Sequence, residues 1–274
     1  MRNLDETTIT QAVLATHRSA ANGRLSEVMT SLVQHLHAFA RDIKLTEQEW
    51  QDGVAFLEQV GQAGSANHSE FALLSHVLGL TTLVLAQNTT RLAECTLPAA
   101  LDNRAPPQGT VYDLGANISA DQSGPMGWVQ GTVRDTQGGP VPFATVQVMA
   151  SGPTCTTPAL LQADAQGCFR FSCALPKSQQ VAAAGPVTAL LSALDRPAWR
   201  PAHLTFLISA AGYRPLTTLI FLEGDPHLAA DALFGVRASL IAEWKRHPAG
   251  TTPDGTVATE PFFTLSFDFV VAPA

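Results

Sequence analysis

Arg200-Pro201-Ala202-His203-Leu204-Thr205 is where this chain of 274 residues places a fixed cation three positions from a titratable ring. Arg200 is always charged, and His203 can act as base or acid near neutrality. Pro201 stands between them, so spacing alone leaves their relative orientation open. Such a pair can polarise a carbonyl or phenolate and move a proton, work of roughly 10²–10⁴-fold in rate. Plainer roles compete. His203 on a strand can be a hydrogen-bonded core residue, Arg200 can pair with Asp195 or Asp225, and Trp199 can simply pack. His35 and His37 are two apart on a helix and do not face each other. His68 and His76 fall near a cap and on a helix, so none of these four suggests a ligand cluster. Cys95, Cys155, Cys168 and Cys173 show no CxxC or zinc spacing and read as reduced, mostly buried thiols. The chain has no Gly-rich phosphate loop, HExxH or GxSxG.

Composition bounds the setting. Apolar residues make up 46% and charged residues 14%, against about 25% charged in a typical soluble chain. That excludes disorder and suggests a surface partly covered by a partner subunit. A net charge of −7 gives no electrostatic case for nucleic acid. No apolar run approaches the roughly 18 residues of a membrane span. The acidic, polar first ten residues lack the pattern of a signal peptide, which makes the cytoplasm the expected location.

The elements that must position Arg200 and His203 change type near residue 90. Before it, apolar residues recur at helical spacing: Thr8 to Ser19, Leu25 to Ile43, a third helix opened by the Thr46/Glu49 capping box, and Phe71 to Gln87 after an Asn67/Glu70 signal. Leu25, Val28, Met29, Leu32, Leu36 and Phe39 form one stripe, suited equally to dimer packing and to ordinary burial. After a Pro/Gly/Asn-rich stretch at 97–125 the period becomes two. Strands are expected at Trp128–Asp135, Ala144–Met149, Gly167–Cys173, His203–Ser209, Thr217–Phe221 and Thr264–Val271, with a helical piece at Asp231–Leu240. This predicts an N-terminal helical domain (1–96), irregular loops (97–125) and an all-β core, an antiparallel β-sandwich (126–274).

The stretches LTEQEWQDGVAFLEQVGQ and SEFALLSHVLGLTTLV resemble the N-terminal helical domain of catechol and hydroxyquinol 1,2-dioxygenases. GTVRDTQGGPVPFATVQV, DAQGCFRF, WRPAHLTFLISAAGYRPLTTLIFLEGD, DALFGVRASLI and PFFTLSFDFV resemble their β-sandwich, in collinear order from about Leu45 to Val271. The resemblance implies the intradiol dioxygenase fold, and a homodimer through the helices. It also implies ring cleavage at a ferric ion held by two tyrosines and two histidines, with an arginine beside the first histidine.

Carried over residue by residue, the arginine and first histidine positions are Arg200 and His203, and the second histidine position is Thr205. One tyrosine position falls near Gln179 and the other after Met149, and a glutamine position is Leu219. The chain's two tyrosines, Tyr112 and Tyr213, stand elsewhere. This leads to an expectation of no metal ligand and no cofactor. The enzyme would be metal-independent and non-oxidative, of cyclase, isomerase or lyase type, acting on an aromatic or polyketide-like small molecule. His203 and Arg200 would be catalytic, and Met149, Gln179, Trp199, Thr205 and Leu219 would line the substrate. The alternatives are a non-catalytic ligand-binding or partner subunit, and a ferric catechol-type 1,2-dioxygenase.

Overall fold

The computed structural model describes residues 4–17, 21–65, 69–89, 94–99, 109–119, 124–152, 157–181 and 184–274. Asn67, His68 and Cys155 lie outside them, as do parts of the 97–125 stretch. The chain divides into two compact units, residues 1–59 and 60–274.

The first unit holds α1 (Ile9–His17), α2 (Gly23–Asp42) and most of α3 (Glu47–Ala63). Asn22 caps α2 by accepting from the Leu25 N–H. The expected capping box opens α3: Thr46 donates its N–H and hydroxyl to Glu49 Oε2, and the Glu49 N–H returns to Thr46 Oγ1. Arg41 reaches the Glu6 carbonyl and Thr10 hydroxyl, both at 2.7 Å, tying α2 to α1. No residue of α2 is buried, and its stripe from Leu25 to Phe39 is exposed.

In the second unit the expected helix Phe71–Gln87 is two: α4 (Glu70–Val77) and α5 (Leu80–Thr89). Gly79, at φ +73, ends the α4 ladder in the left-handed region that glycine alone adopts freely. The cap is Ser69, whose hydroxyl accepts from the Ala72 N–H. No single described helix is long and apolar enough to cross a membrane; α4 and α5 meet that test only together, bent by 73°.

The strands in chain order are β1 (Thr110–Val111), β2 (Met126–Asp135), β3 (Thr145–Ala150), β4 (Ala159–Gln162), β5 (Cys168–Ala174), β6 (Gln179–Gln180), β7 (Trp199–Arg200), β8 (His203–Ser209), β9 (Leu216–Leu222), β10 (Ile241–Ala242), β11 (Lys245–His247), β12 (Gly250–Thr251), β13 (Val257–Ala258), β14 (Phe262–Ser266) and β15 (Phe269–Val271). One sheet runs β1-β4-β3-β8-β9-β10; the other runs β11-β14-β2-β15 with β5 also on β2. Phe206 of β8 meets Phe169 of β5 and Phe269 of β15, with ring centroids 6.1 and 4.7 Å apart, so the two sheets face each other across an aromatic core. The central pairs β3–β4, β3–β8, β8–β9 and β2–β5 are antiparallel as expected. β11–β14 is antiparallel too, whereas β1–β4, β9–β10, β14–β2 and β15–β2 are parallel. The expected strand Thr264–Val271 is split into β14 and β15, and at the break the Asp268 carboxylate, in place of a main-chain carbonyl, accepts the Thr132 N–H of β2.

Two local expectations need correction. In Asp231–Leu240 only the last three residues, Ala238–Leu240, form a short 3₁₀ turn; residues 231–237 are a loop that follows another such turn, Leu228–Ala230, and Phe234 turns it at φ +53. A helix absent from the expectations, α6 (Pro186–Ala193), starts on a proline. The buried Glu70 carboxylate accepts the Val187 N–H at 3.0 Å in its first turn.

Candidate functional site

Antiparallel pairing places directly opposed residues on one sheet face. Thr205 is opposed by Met149 on one side and Leu219 on the other, and His203 by Phe221. His203, Thr205, Met149, Leu219 and Phe221 thus form one layer, on the face opposite Leu204 and Phe206. Strand register alone brings together four of the seven expected site residues.

His203 is buried. Its N–H donates to Ser151 Oγ at 2.8 Å, and that hydroxyl donates to Lys177 O. Nδ1 lies 2.7 Å from the Pro201 carbonyl. A carbonyl only accepts, so Nδ1 carries the proton and Nε2 holds the lone pair in the neutral ring. The ring tilts against Phe221, with centroids 5.6 Å apart.

Arg200 is 0% exposed at the end of β7, opposite Gln179 of β6. Its Nε donates to Asp231 Oδ1 at 3.2 Å. Asp231 also accepts the Leu233 and Gly235 N–H groups, at 3.3 and 2.7 Å. The carboxylate partner of Arg200 is therefore Asp231, not Asp195 or Asp225. Asp195 is exposed in a turn. Asp225 accepts from Ser178 Oγ, the Ala202 N–H and the His227 N–H instead. Burial works to raise the pKa of Asp225, but those three donors outweigh it and hold the carboxyl below its usual value. They also brace the residue just before His203. Gly235 wraps the ion pair so closely that a Cβ there would stand 3.1 Å from both Arg200 Nη2 and Asp231 Oδ2.

Gln179 Oε1 accepts the Gly152 N–H at 3.1 Å, tying the end of β3 to β6. Trp199 does not join the layer: neighbouring strand residues point to opposite faces, and its ring stacks on His227 at 5.2 Å. Cys95 and Cys168 are free thiols, and burial together with Glu94 pushes the Cys95 thiol up, away from reactivity. Sequence reasoning missed Asp231 and Ser151. Neither spacing carried a signal, because each reaches its partner across the fold, 31 and 52 positions along the chain.

Residues 22–96 match the family model described as the catechol dioxygenase N terminus, and residues 108–273 match the dioxygenase model. A 6-chlorohydroxyquinol 1,2-dioxygenase of Cupriavidus pinatubonensis is 37% identical, covering 100% of this chain and 99% of its own length. A hydroxyquinol 1,2-dioxygenase of Nocardioides simplex is 34% identical over 98% of this chain and 96% of its own. The crystal structure of a hydroxyquinol 1,2-dioxygenase of Pseudomonas putida superposes with a TM-score of 0.88 at 32% identity, covering 98% of this chain and 99% of that one.

These relatives overturn two expectations. Full-length likeness to ring-cleavage dioxygenases contradicts a non-oxidative enzyme or a non-catalytic subunit, and it contradicts the absence of a cofactor, since that class works with ferric iron. The donors in this chain nevertheless do not fit the ferric set that the resemblance implies. Tyr112 donates its N–H to Leu160 O beside β4, and Tyr213 bridges to Pro273; both pack on the core. No other tyrosine exists in the chain. The layer holds one imidazole beside a threonine hydroxyl, and among the described residues no three His, Cys, Asp or Glu side chains gather to hold a metal.

Proposed function

This chain belongs to the intradiol ring-cleavage dioxygenase family, and we propose that it takes part in the oxidative opening of a hydroxylated aromatic ring of the hydroxyquinol type. What carries this reading is the relatedness to hydroxyquinol 1,2-dioxygenases along the whole chain. The chain's own residues bind and orient the ring. His203, fixed by Ser151 and Pro201 O, exchanges a proton with a substrate hydroxyl. Arg200, held by Asp231, steadies phenolate charge. Met149, Thr205 and Leu219 form the wall beside them, and Gln179 holds its edge.

Dimerisation through the helical segment 1–96 belongs to the same proposal. It is supported by the exposed stripe Leu25, Val28, Leu32, Leu36 and Phe39 on α2.

The test is oxygen uptake by iron-incubated protein with 1,2,4-trihydroxybenzene, measured above the autoxidation rate. The expected result is uptake equimolar with substrate, lost in His203→Ala. Absence of uptake while the iron-incubated protein still binds the trihydroxybenzene overturns the proposal.

A further inference from the structure

A cavity of about 390 Å³ opens between Arg196 and the 228–237 loop, within the unit 60–274. Leu228, Phe234 and Val236 give it apolar walls, and Arg196, Arg237 and Asp231 reach it as charged groups. The Asp231 carboxylate is already matched by Arg200 and by two backbone N–H groups. The two arginines are held differently. Arg196 donates to Val77 O at 2.8 Å and Ala232 O at 3.4 Å, with its guanidinium 5.0 Å from the centre of the Phe234 ring. Arg237 Nη1 donates to Phe234 O at 3.0 Å and Val236 O at 2.8 Å. Carbonyls aim both guanidinium groups without neutralising either, and neither has a carboxylate within ion-pair distance among the described residues. A guanidinium carries five N–H donors, so each keeps donors to spare. Two uncompensated cations beside apolar walls, in a chain of net charge −7, define a recognisable ligand chemistry.

We propose that this cavity binds a small organic carboxylate, its anion between Arg196 and Arg237 and its carbon skeleton against Leu228, Phe234 and Val236. The volume lies within the roughly 300–1,000 Å³ of small-molecule sites. The anion site proposed is distinct from the His203 layer, none of which lines the cavity, although Asp231, the partner of Arg200, forms part of its wall.

The probe is benzoate, titrated calorimetrically into the full chain, with benzyl alcohol as its uncharged counterpart. Benzoate is expected to bind at one site and benzyl alcohol at least about tenfold more weakly. Arg237→Gln and Arg196→Gln each weaken benzoate about tenfold or more, Arg237→Lys restores part of the loss, and His203→Ala leaves the affinity unchanged. Should Arg196→Gln fail to fold for loss of its tie to Val77 O, the Arg237 pair decides alone. The proposal is overturned by no binding up to about 10 mM, by equal affinity in Arg237→Gln, or by loss confined to His203→Ala, which would place benzoate in the layer instead.

Discussion

Removing the Asp231 carboxylate leaves a guanidinium that is 0% exposed without its counter-ion. At 3.2 Å and an effective dielectric near 20, the pair's attraction is about 5 kcal/mol. Breaking one partner of a buried pair costs about 3–5 kcal/mol, and Asp231→Ala also strips acceptors from the Leu233 and Gly235 N–H groups. We expect Asp231→Ala to fall in that range. Arg200→Met should cost less, about 1.5–3 kcal/mol, because Asp231 keeps its two backbone donors. The double variant Arg200→Met/Asp231→Leu removes both charges and should cost less than the sum of the two single changes by at least about 2 kcal/mol. Urea unfolding followed by tryptophan fluorescence reads this directly, since Trp128, Trp199 and Trp244 all lie in the unit 60–274. Additivity within about 0.5 kcal/mol, or a cost for Asp231→Ala below about 1 kcal/mol, refutes the reasoning.

Asp225 has a folded pKa below its unfolded value, so its stabilisation is complete above the ordinary carboxylate range and disappears as pH falls through the lowered folded value. Thermal melts across that acid range should show a shallower loss for Asp225→Asn than for the parent; parallel curves count against it. Leu32→Glu with Leu36→Glu sets charges into the exposed α2 stripe and should reduce the sedimenting mass from dimer to monomer; an unchanged mass removes the stripe from the interface. Thr205→His would set a second imidazole on the His203 face, and Zn²⁺ binding measured by titration should tighten more than about tenfold over the parent. Equal affinities would mean that the layer does not limit metal binding.

Periodicity made the strands of the site legible, because alternation puts a hydrophobic residue at every second position and fixes the face. The boundaries His203–Ser209 follow from it directly. The helical reading of Asp231–Leu240 failed for a local reason. Ala232, Leu233 and Val236 have helical spacing, yet Phe234 stands at φ +53 in the left-handed region, and the Gly235 N–H goes to the Asp231 side chain instead of to the carbonyl four residues back. The Phe71–Gln87 break at Gly79 was marked by the glycine, but whether a glycine in a helix packs or terminates depends on its φ, which composition does not carry. Partner choice was the least legible. Along the chain Asp195 and Asp225 suggest themselves, and only β6–β7 pairing and the turn of the 231–235 loop decide that Arg200 faces Asp231 instead.

The 231–237 loop joins the two places where this unit concentrates polar chemistry. Asp231, itself accepting the Gly235 N–H, pairs with Arg200, while the carbonyls of Ala232, Phe234 and Val236 orient Arg196 and Arg237 at the cavity. Phe234 O also accepts from Thr82 on α5. The missing Cβ at Gly235 lets the chain pass close enough to serve both sides. A ligand that orders this loop at the cavity acts on the same backbone that holds the Arg200 carboxylate partner. Any resulting coupling must be reciprocal: whatever factor a cavity ligand applies to affinity at Arg200, a ligand at Arg200 applies to the cavity. Arg200 is thus a buried cation placed by the β6–β7 pairing and matched in charge by a loop residue, Asp231. The His203 layer is set by strand register alone, whereas the charge balance of Arg200 also depends on the loop, which makes Arg200 the group more open to adjustment from the cavity.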